Sequence, residues 1–128
     1  MCTKQISIRE WKYLRLGGIR VSAYLVFEIS IDDRKTYDSY RSTARPMLDR
    51  HGGRFLVRSV PGEEGRMETL EGNWAPERFF IVVFPTWDQA RAFYFSEEYQ
   101  ETVRARFSSS VGKAMLVDGM PWTYEQKS

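Results

Sequence analysis

The stretch Arg78–Phe84 reads RFFIVVF, and every residue after its arginine is apolar. Pro85 follows it directly, and a turn-forming segment that ends in Pro76 comes before it. Aromatic and β-branched residues favour strands, and a short apolar run between breakers is typical of a buried one. Because side chains of a strand alternate between the two faces of the sheet, we predict a strand that is buried on both sides.

Three further strands are predicted around this one. Ala23–Ile31 (AYLVFEISI) alternates, with Ala23, Leu25, Phe27 and Ile29 on one face and a mixed set on the other. Residues 54–60 and 112–118 read as two more strands, and residues 66–70 as a short return strand.

Helices are predicted between the strands. After an N-cap at Asp32 or Asp33, apolar residues recur at spacings of three and four, at Tyr37, Tyr40, Ala44 and Leu48. Pro46 should bend or interrupt this helix, and Gly52-Gly53 should end it.

The second helical segment opens on a capping box. Thr86 and Gln89 stand at the spacing that this motif requires. The helix should restart or kink near Ser96.

The resulting order, β-α-β-β-α-β, predicts an α+β, ferredoxin-like domain with a four-stranded antiparallel sheet and two helices on one face. The other face would then be bare, although its residues are apolar as well. Monomers seldom expose apolar patches beyond a few hundred Å². We therefore expect a homodimer formed by sheet-face packing, with roughly 1,200–2,000 Å² buried.

Composition limits the function. The chain holds one His and one Cys, too few for the usual metal ligand sets, and no phosphate-binding glycine motif, so no metal, nucleotide or other cofactor is expected. Residues 21–128 hold 14 basic and 16 acidic side chains, which argues against a nucleic-acid partner. The longest apolar runs are too short to span a membrane, so no membrane partner is expected. The single cysteine, Cys2, rules out an internal disulfide and favours a cytoplasmic location.

The chain divides into three parts. Residues 1–20 form an extension with five basic and one acidic side chain, residues 21–120 the domain, and residues 121–128 a tail. The extension is open to three interpretations: a basic tail, an added element, or a non-native segment. We favour the last, since Gly17-Gly18 can be encoded by a ribosome-binding sequence and Val21 by a GTG start codon.

The sequence resembles the small bacterial proteins grouped as domain-of-unknown-function family 1330. The motifs that carry the resemblance are HGGRFLVR from His51, LEGNWAPER from Leu70, and ARAFYFSEEYQ from Ala90, within residues 22–120. The resemblance implies a dimeric α+β barrel, in which two ferredoxin-like sheets pack face to face. The loop at residues 61–66 is longer than is usual in that family.

Candidate site residues would rim a cleft between helices and sheet. His51 is a weak candidate for an acid/base, against a plain helix-capping role. Arg54 and Arg58, expected to point the same way, could hold a carboxylate, or pair structurally with Glu28 or Glu71 across the dimer. Further candidates for the pocket, each with a structural alternative in the core or in a pinned loop, are Tyr37, Tyr40, Glu71, Trp74, Tyr94 and Tyr99.

Two functions remain open from the sequence. The first is a non-catalytic dimer that binds a small aromatic or carboxylated molecule, or that serves only as a surface for a partner. The second is a cofactor-independent enzyme resembling monooxygenases or isomerases, an analogy at the level of the fold.

Overall fold

The computed structural model describes residues 21–120, so the predicted extension at 1–20 and tail at 121–128 lie outside the described residues. The elements follow the predicted β-α-β-β-α-β order, with the second helix in two segments. They are β1 (Ala23–Ile31), α1 (Arg34–Arg50), β2 (Arg54–Ser59), β3 (Arg78–Phe84), α2 (Trp87–Tyr94), α3 (Glu97–Ser109) and β4 (Ser110–Asp118).

The four strands form one antiparallel sheet in the order β2-β3-β1-β4. The two most apolar strands, β1 and β3, lie in its centre, where Leu25 pairs with Val82 and Phe27 with Phe80. The predicted α+β, ferredoxin-like fold is thereby confirmed. The last strand starts at Ser110, two residues before the predicted start at Gly112.

Helix α1 is held at both ends as its sequence predicts. The Asp33 carboxylate accepts a hydrogen bond from the Thr36 backbone N–H, and His51 is the C-cap. Gly52 follows with φ of 84°, a conformation that glycine adopts easily.

The predicted interruption at Pro46 is wrong, because α1 runs without a break from Arg34 to Arg50. Proline removes the backbone hydrogen bond to the carbonyl four residues earlier, that of Ser42. Both Pro46 and Ser42 are exposed, so water can satisfy that carbonyl.

Helices α2 and α3 each begin at a hydroxyl cap. Thr86 Oγ1 accepts from the Gln89 N–H at 3.1 Å, and Ser96 Oγ accepts from the Tyr99 N–H at 3.1 Å. The predicted restart near Ser96 is confirmed, and α3 packs along α1.

The helices cover one side of the sheet, which we call the helix face. Ala23, Leu25, Phe27 and Ile29 of β1 point to it and are buried. Phe84 of β3 joins them, and its ring contacts that of Phe93 with centroids 5.6 Å apart. This side contains the hydrophobic core.

The opposite side, which we call the open face, is also largely apolar but is not fully covered. Phe79, Ile81 and Val83 of β3 point to it and are only half-buried. Val111 and Met115 of β4 are exposed there. Between residues 21 and 120, the chain has no helix of the length and apolarity needed to cross a membrane.

A β-bulge in β2 overturns the prediction that Arg54 and Arg58 point the same way. Arg54 pairs with Val83, whereas Arg58 pairs with Phe80, and the register shifts between Phe55 and Val57. One extra residue in a strand reverses the faces of all that follow it. Arg58 therefore points to the helix face and Arg54 to the open face.

The loop between β2 and β3 contains no strand at residues 66–70, so the predicted return strand is wrong. Its regular pairing is limited to an isolated bridge between Val60 and Glu64. Gly65 has φ of 66°, and a Cβ atom there would meet the Arg58 carbonyl oxygen at 2.2 Å. The chain thus folds back tightly over the end of β2, which leaves residues 66–70 without a strand to pair with.

Candidate functional site

A cavity of about 270 Å³ lies between α1 and the helix face of the sheet. Seven aromatic side chains, five arginines and two glutamates line it, together with aliphatic residues of the core. The aromatic members are Phe27, Tyr37, Tyr40, Phe55, Phe80, Phe93 and Tyr99, and the charged ones are Arg34, Arg41, Arg45, Arg58, Arg78, Glu63 and Glu64.

Helix α1 supplies one wall because of the spacing of its residues. Tyr37, Ala44 and Leu48 are buried and touch the cavity, whereas Arg41 and Arg45 lie beside them at its rim. Long side chains on a helix carry their charge outwards while their stems cover apolar surface.

Two tyrosine hydroxyls meet at the cavity wall. The oxygen atoms of Tyr40 and Tyr99 lie 2.7 Å apart in a hydrogen bond between α1 and α3. Burial raises the pKa of Tyr40 well above its usual value of 10.0, and the neighbouring Tyr99 raises it further. Burial also raises the pKa of Tyr99, although Arg106 acts against it. Both hydroxyls therefore stay protonated at neutral pH and can donate hydrogen bonds.

The rim of the cavity is positively charged. Arg58 Nη2 lies 2.8 Å from a carboxylate oxygen of Glu64, and its guanidinium stacks 5.0 Å from the centre of the Phe55 ring. Arg45 lies over the same ring at 5.2 Å. Burial lowers the pKa of Arg45, and the charges of Arg58 and Arg41 lower it further. Such a cluster of like charges favours an anion at the rim.

Arg78 lies deeper. It is the first residue of β3, points to the helix face, and is only 8% exposed. No hydrogen bond, ion pair or ring contact is made by its side chain within residues 21–120. Buried guanidinium groups are normally paired, so this one is unusual.

Arg106 of α3 stands behind the tyrosine pair and is 4% exposed. Its guanidinium lies 5.3 Å from the Phe27 ring centre and 5.9 Å from that of Tyr40. It forms no ion pair with a carboxylate in the described part of the chain. Its charge adds to the positive potential of the cavity wall.

The structure brings four of the predicted site residues together at the cavity, namely Tyr37, Tyr40, Arg58 and Tyr99. Arg58 pairs with Glu64 of its own chain, and the pairing expected with Glu28 or Glu71 across a dimer stays a prediction. Arg54 is exposed on the open face and does not reach the cavity. Tyr94 packs on Phe95 and Tyr99 outside the lining.

His51 is placed as a helix cap. Its Nδ1 lies 3.0 Å from the Met47 carbonyl oxygen, and its ring meets the edge of Phe93 at 5.7 Å. It does not line the cavity. Of the two interpretations, capping is the one that the geometry supports.

Trp74 and Glu71 are not in the cavity either. Together with Leu70 and Pro76 they line a shallow groove in the loop before β3. The Trp74 Nε1–H donates to Glu28 at 3.3 Å, and its ring contacts Phe79 at 6.1 Å. Trp74 therefore pins this loop to the open face and remains 52% exposed.

Arg78 and Arg106 are absent from the sequence-based candidates, although each carries a signal. Arg78 has the same parity as Val82 and Phe84, so it is a charge at an inward position of a strand. Arg106 follows Tyr99 and Val103 at spacings of seven and three, on the buried side of its helix. In both cases the signal is a charged residue at a position that the pattern of its strand or helix assigns to the core.

Comparison with known proteins places the chain in a family. Residues 22–120 match the model of the domain of unknown function DUF1330. The chain belongs to this family. A comparison with curated proteins gives no match.

Solved structures share the fold at low sequence identity. RPA0582, a protein of unknown function from Rhodopseudomonas palustris, is 14% identical with a TM-score of 0.63, and the alignment covers 94% of this chain and 97% of that one. Methylated RPA0582 gives 13% identity, a TM-score of 0.64, and coverage of 95% and 96%. SnoaB, a cofactor-independent oxygenase from Streptomyces nogalater, is 14% identical with a TM-score of 0.47, covering 85% and 96%.

Proposed function

We propose that this member of the DUF1330 family is a homodimeric, cytoplasmic protein that binds a small aromatic or carboxylated molecule in the cavity between α1 and the sheet. The observation that carries the proposal is the cavity of about 270 Å³, whose lining is aromatic within and arginine-rich at the rim.

The cavity has the composition of a ligand site. Such sites are concave, mostly apolar, and contain a few polar groups that fix orientation. Here rings such as Phe80 and Phe93 supply apolar surface, while the Tyr40–Tyr99 hydroxyl pair and Arg58 supply polar contacts. The volume lies just below the usual range of roughly 300–1,000 Å³ for such pockets, so the ligand is small.

Dimerisation is supported by the open face. Val26 in β1 and Ile81 in β3 are neighbours there and only half-buried, and Met115 in β4 is 65% exposed beside them. A contiguous apolar sheet surface of this kind is usually buried in an interface. A second copy of the chain offers the matching surface through a two-fold axis.

An enzyme is the alternative. It is favoured by the Tyr40–Tyr99 pair, in which one hydroxyl can give its proton to a bound molecule while it takes the proton of the other across 2.7 Å, leaving the second as a tyrosinate beside the Arg106 guanidinium. His51, the acid/base candidate from the sequence, lies outside the lining and would not take part.

Ligand binding can be tested by thermal shift with a panel of small rings, namely benzoate, benzamide, indole and indole-3-carboxylate. We expect at least one of them to raise the melting temperature, because a ligand of the folded state stabilises it by mass action. Ala44→Leu fills the cavity from α1 and should abolish the shift. Thr43→Leu, one residue away on the exposed side of the helix, is the matched control and should retain it.

If no probe stabilises the protein, or if Ala44→Leu responds like Thr43→Leu, the binding proposal is wrong. If a probe is chemically changed on incubation and Tyr40→Phe stops this, the enzyme alternative replaces it.

The dimer can be tested by light scattering at micromolar concentration. We expect a mass twice the 15.1 kDa of one chain. Ile81→Asp should yield monomers, since a carboxylate would be buried without a partner at the centre of the interface. Thr43→Asp should not. A wild-type mass of one chain would contradict the proposal.

A further inference from the structure

We propose that Arg78 and the Tyr37 hydroxyl form the inner anchor for a carboxylate, so that the cavity selects small aromatic monoacids over their neutral counterparts. This inference rests on the proposed binding function and names the class of ligand.

Arg78 occupies a position that would normally be apolar. It shares the helix face with Phe80, Val82 and Phe84 of the same strand, and it pairs with Ile29 of β1. More than nine-tenths of its surface is buried, and it lines the cavity. Among the described residues, the unpartnered nitrogens that are fully buried are the Nε atoms of Arg58 and Arg106, so the Arg78 guanidinium keeps accessible surface toward the cavity, where a ligand can reach it.

The described part of the chain does not supply a partner for this guanidinium. The Glu64 carboxylate lies 2.8 Å from Arg58, and Glu63 is exposed at the rim. Glu77, the residue beside Arg78, is exposed and accepts from the Ile31 N–H at 3.3 Å. No other acidic side chain lines the cavity, so for the described residues the inner cation is uncompensated.

Tyr37 presents a second unpartnered donor to the same space. Its side chain is 3% exposed and lines the cavity, and its hydroxyl forms no hydrogen bond to any residue from 21 to 120. A buried tyrosine hydroxyl usually has a partner. Burial raises the pKa of Tyr37, while the charges of Arg106, Arg78 and Arg41 oppose that rise.

A carboxylate satisfies both groups at once. Its two oxygens can accept two parallel N–H bonds from a guanidinium, and a remaining lone pair can accept the tyrosine O–H. The ring of the ligand then lies among apolar side chains such as Phe27 and Phe93. With five arginines against two glutamates in the lining, the potential favours one negative charge on the ligand.

The test compares benzoate with benzamide, which has nearly the same shape but no charge. Titration calorimetry or ligand-observed NMR on the full chain should show benzoate binding at least about tenfold more tightly, since hydrogen bonds to charged groups are about twice as strong as neutral ones. Arg78→Met should weaken benzoate by about 10–100-fold and benzamide by a much smaller factor, so that the preference for benzoate is lost. Tyr37→Phe should weaken benzoate several-fold, by about the contribution of a single hydrogen bond.

Arg54→Met is the matched control. It removes the same charge from the adjacent strand β2, but on the open face, and should leave benzoate binding unchanged. Arg78→Met should also raise the melting temperature of the ligand-free protein, because it removes a buried charge that has no partner. A purely structural arginine would give the opposite sign.

The outcomes separate the two proposals. If benzoate and benzamide bind equally, or Arg78→Met leaves benzoate affinity unchanged, the anchor is wrong while the cavity remains a binding site. If none of the ring probes binds, both proposals are wrong. If Arg78→Met fails to fold, the carboxylate anchor is still tested by the benzoate affinity of Tyr37→Phe and by the ratio of benzoate to benzamide affinity in the wild type.

Discussion

The two faces of the sheet are built from the same kinds of residue and yet differ in what they can do. In β3, Phe80, Val82 and Phe84 point to the helices, and the residues between them point the other way. The helix face encloses a cavity and two buried arginines, whereas the open face is a largely apolar surface with exposed charges such as that of Arg54. Hydrophobicity alone therefore does not distinguish a ligand site from an interface. A buried charged side chain on the helix face, such as that of Arg78, does distinguish the two.

The largest contrast is expected between two neighbours on β3 that point to opposite faces. Phe84→Ala should lower the free energy of unfolding by about 3–5 kcal/mol, because Phe84 is fully buried and leaves a cavity. Val83→Ala, on the open face, should act through the dimer, so its effect should grow as protein concentration rises from the monomer range into the dimer range.

Urea unfolding of both variants at two protein concentrations measures this contrast. Equal losses for the two variants, with no dependence on concentration, would mean that the faces are buried to the same degree within one chain.

The helix face should also resist added volume. A Cβ atom at Gly53 would lie 2.8 Å from both Leu48 Cδ1 and the Phe84 ring. Gly53→Ala should therefore cost about 1–3 kcal/mol, as overpacking of a core does. Met115→Ala, at an exposed site of the open face, should stay within about 0.5 kcal/mol at concentrations where the chain is a monomer. Thermal unfolding of the Gly53→Ala and Met115→Ala variants measures this difference. A Gly53→Ala variant more stable than the wild type would show that there is spare room beside Phe84.

The tyrosine pair should make the helix face sensitive to high pH. The pKa of Tyr40 in the folded chain is raised above its usual 10.0. The folded state therefore holds this proton more tightly than the unfolded one, and the stability it confers is present below pH 10 and lost as pH rises from there through the folded pKa.

Unfolding measured from pH 9 to 12, with tyrosinate absorbance, tests this expectation. Tyr40→Phe should cost about 1 kcal/mol at neutral pH and should flatten the alkaline decline. A wild-type stability that does not fall above pH 10 would contradict the burial of the pair.

The smallest changes in stability are expected for substitutions in the helices, which cover only the helix face. Thr86→Ala removes the cap of α2 and should cost about 1 kcal/mol. Thr43→Ala, inside α1 and exposed, should change stability by less than about 0.5 kcal/mol. Denaturant unfolding followed by circular dichroism compares the two, and equal effects would argue against the cap.

Much of the fold could be predicted, because its signals are local. Strands β1 and β3 were predicted to the residue, since alternation or a continuous apolar run defines each and a breaker follows. The cap at Thr86 was found for the same reason, as a hydroxyl residue before helical spacing, whereas at Ser96 only the restart of the helix was predicted and not the cap.

The site was predicted only in part, because its geometry depends on pairing between distant segments. The bulge in β2 is defined by the register of its pairing with β3, and no pattern within residues 54–59 predicts it. Tyr37, Tyr40 and Tyr99 were found through helical spacing, and of the two interpretations of Trp74 the geometry supports the one in which it pins its loop. Its partners Phe79 and Glu28 could be identified only once the loop was placed on the sheet.

The bulge in β2 also bears on how this chain tolerates changes of length. Leu56 is the extra residue between Phe55, which pairs with Val82, and Val57, which pairs with Ile81. Loss of its single codon would leave an unbroken alternation in which Phe55 and Arg58 still face α1. A deletion of Leu56 is therefore expected to leave the lining of the cavity in place, whereas a deletion two codons later would remove the cavity-lining Arg58 itself.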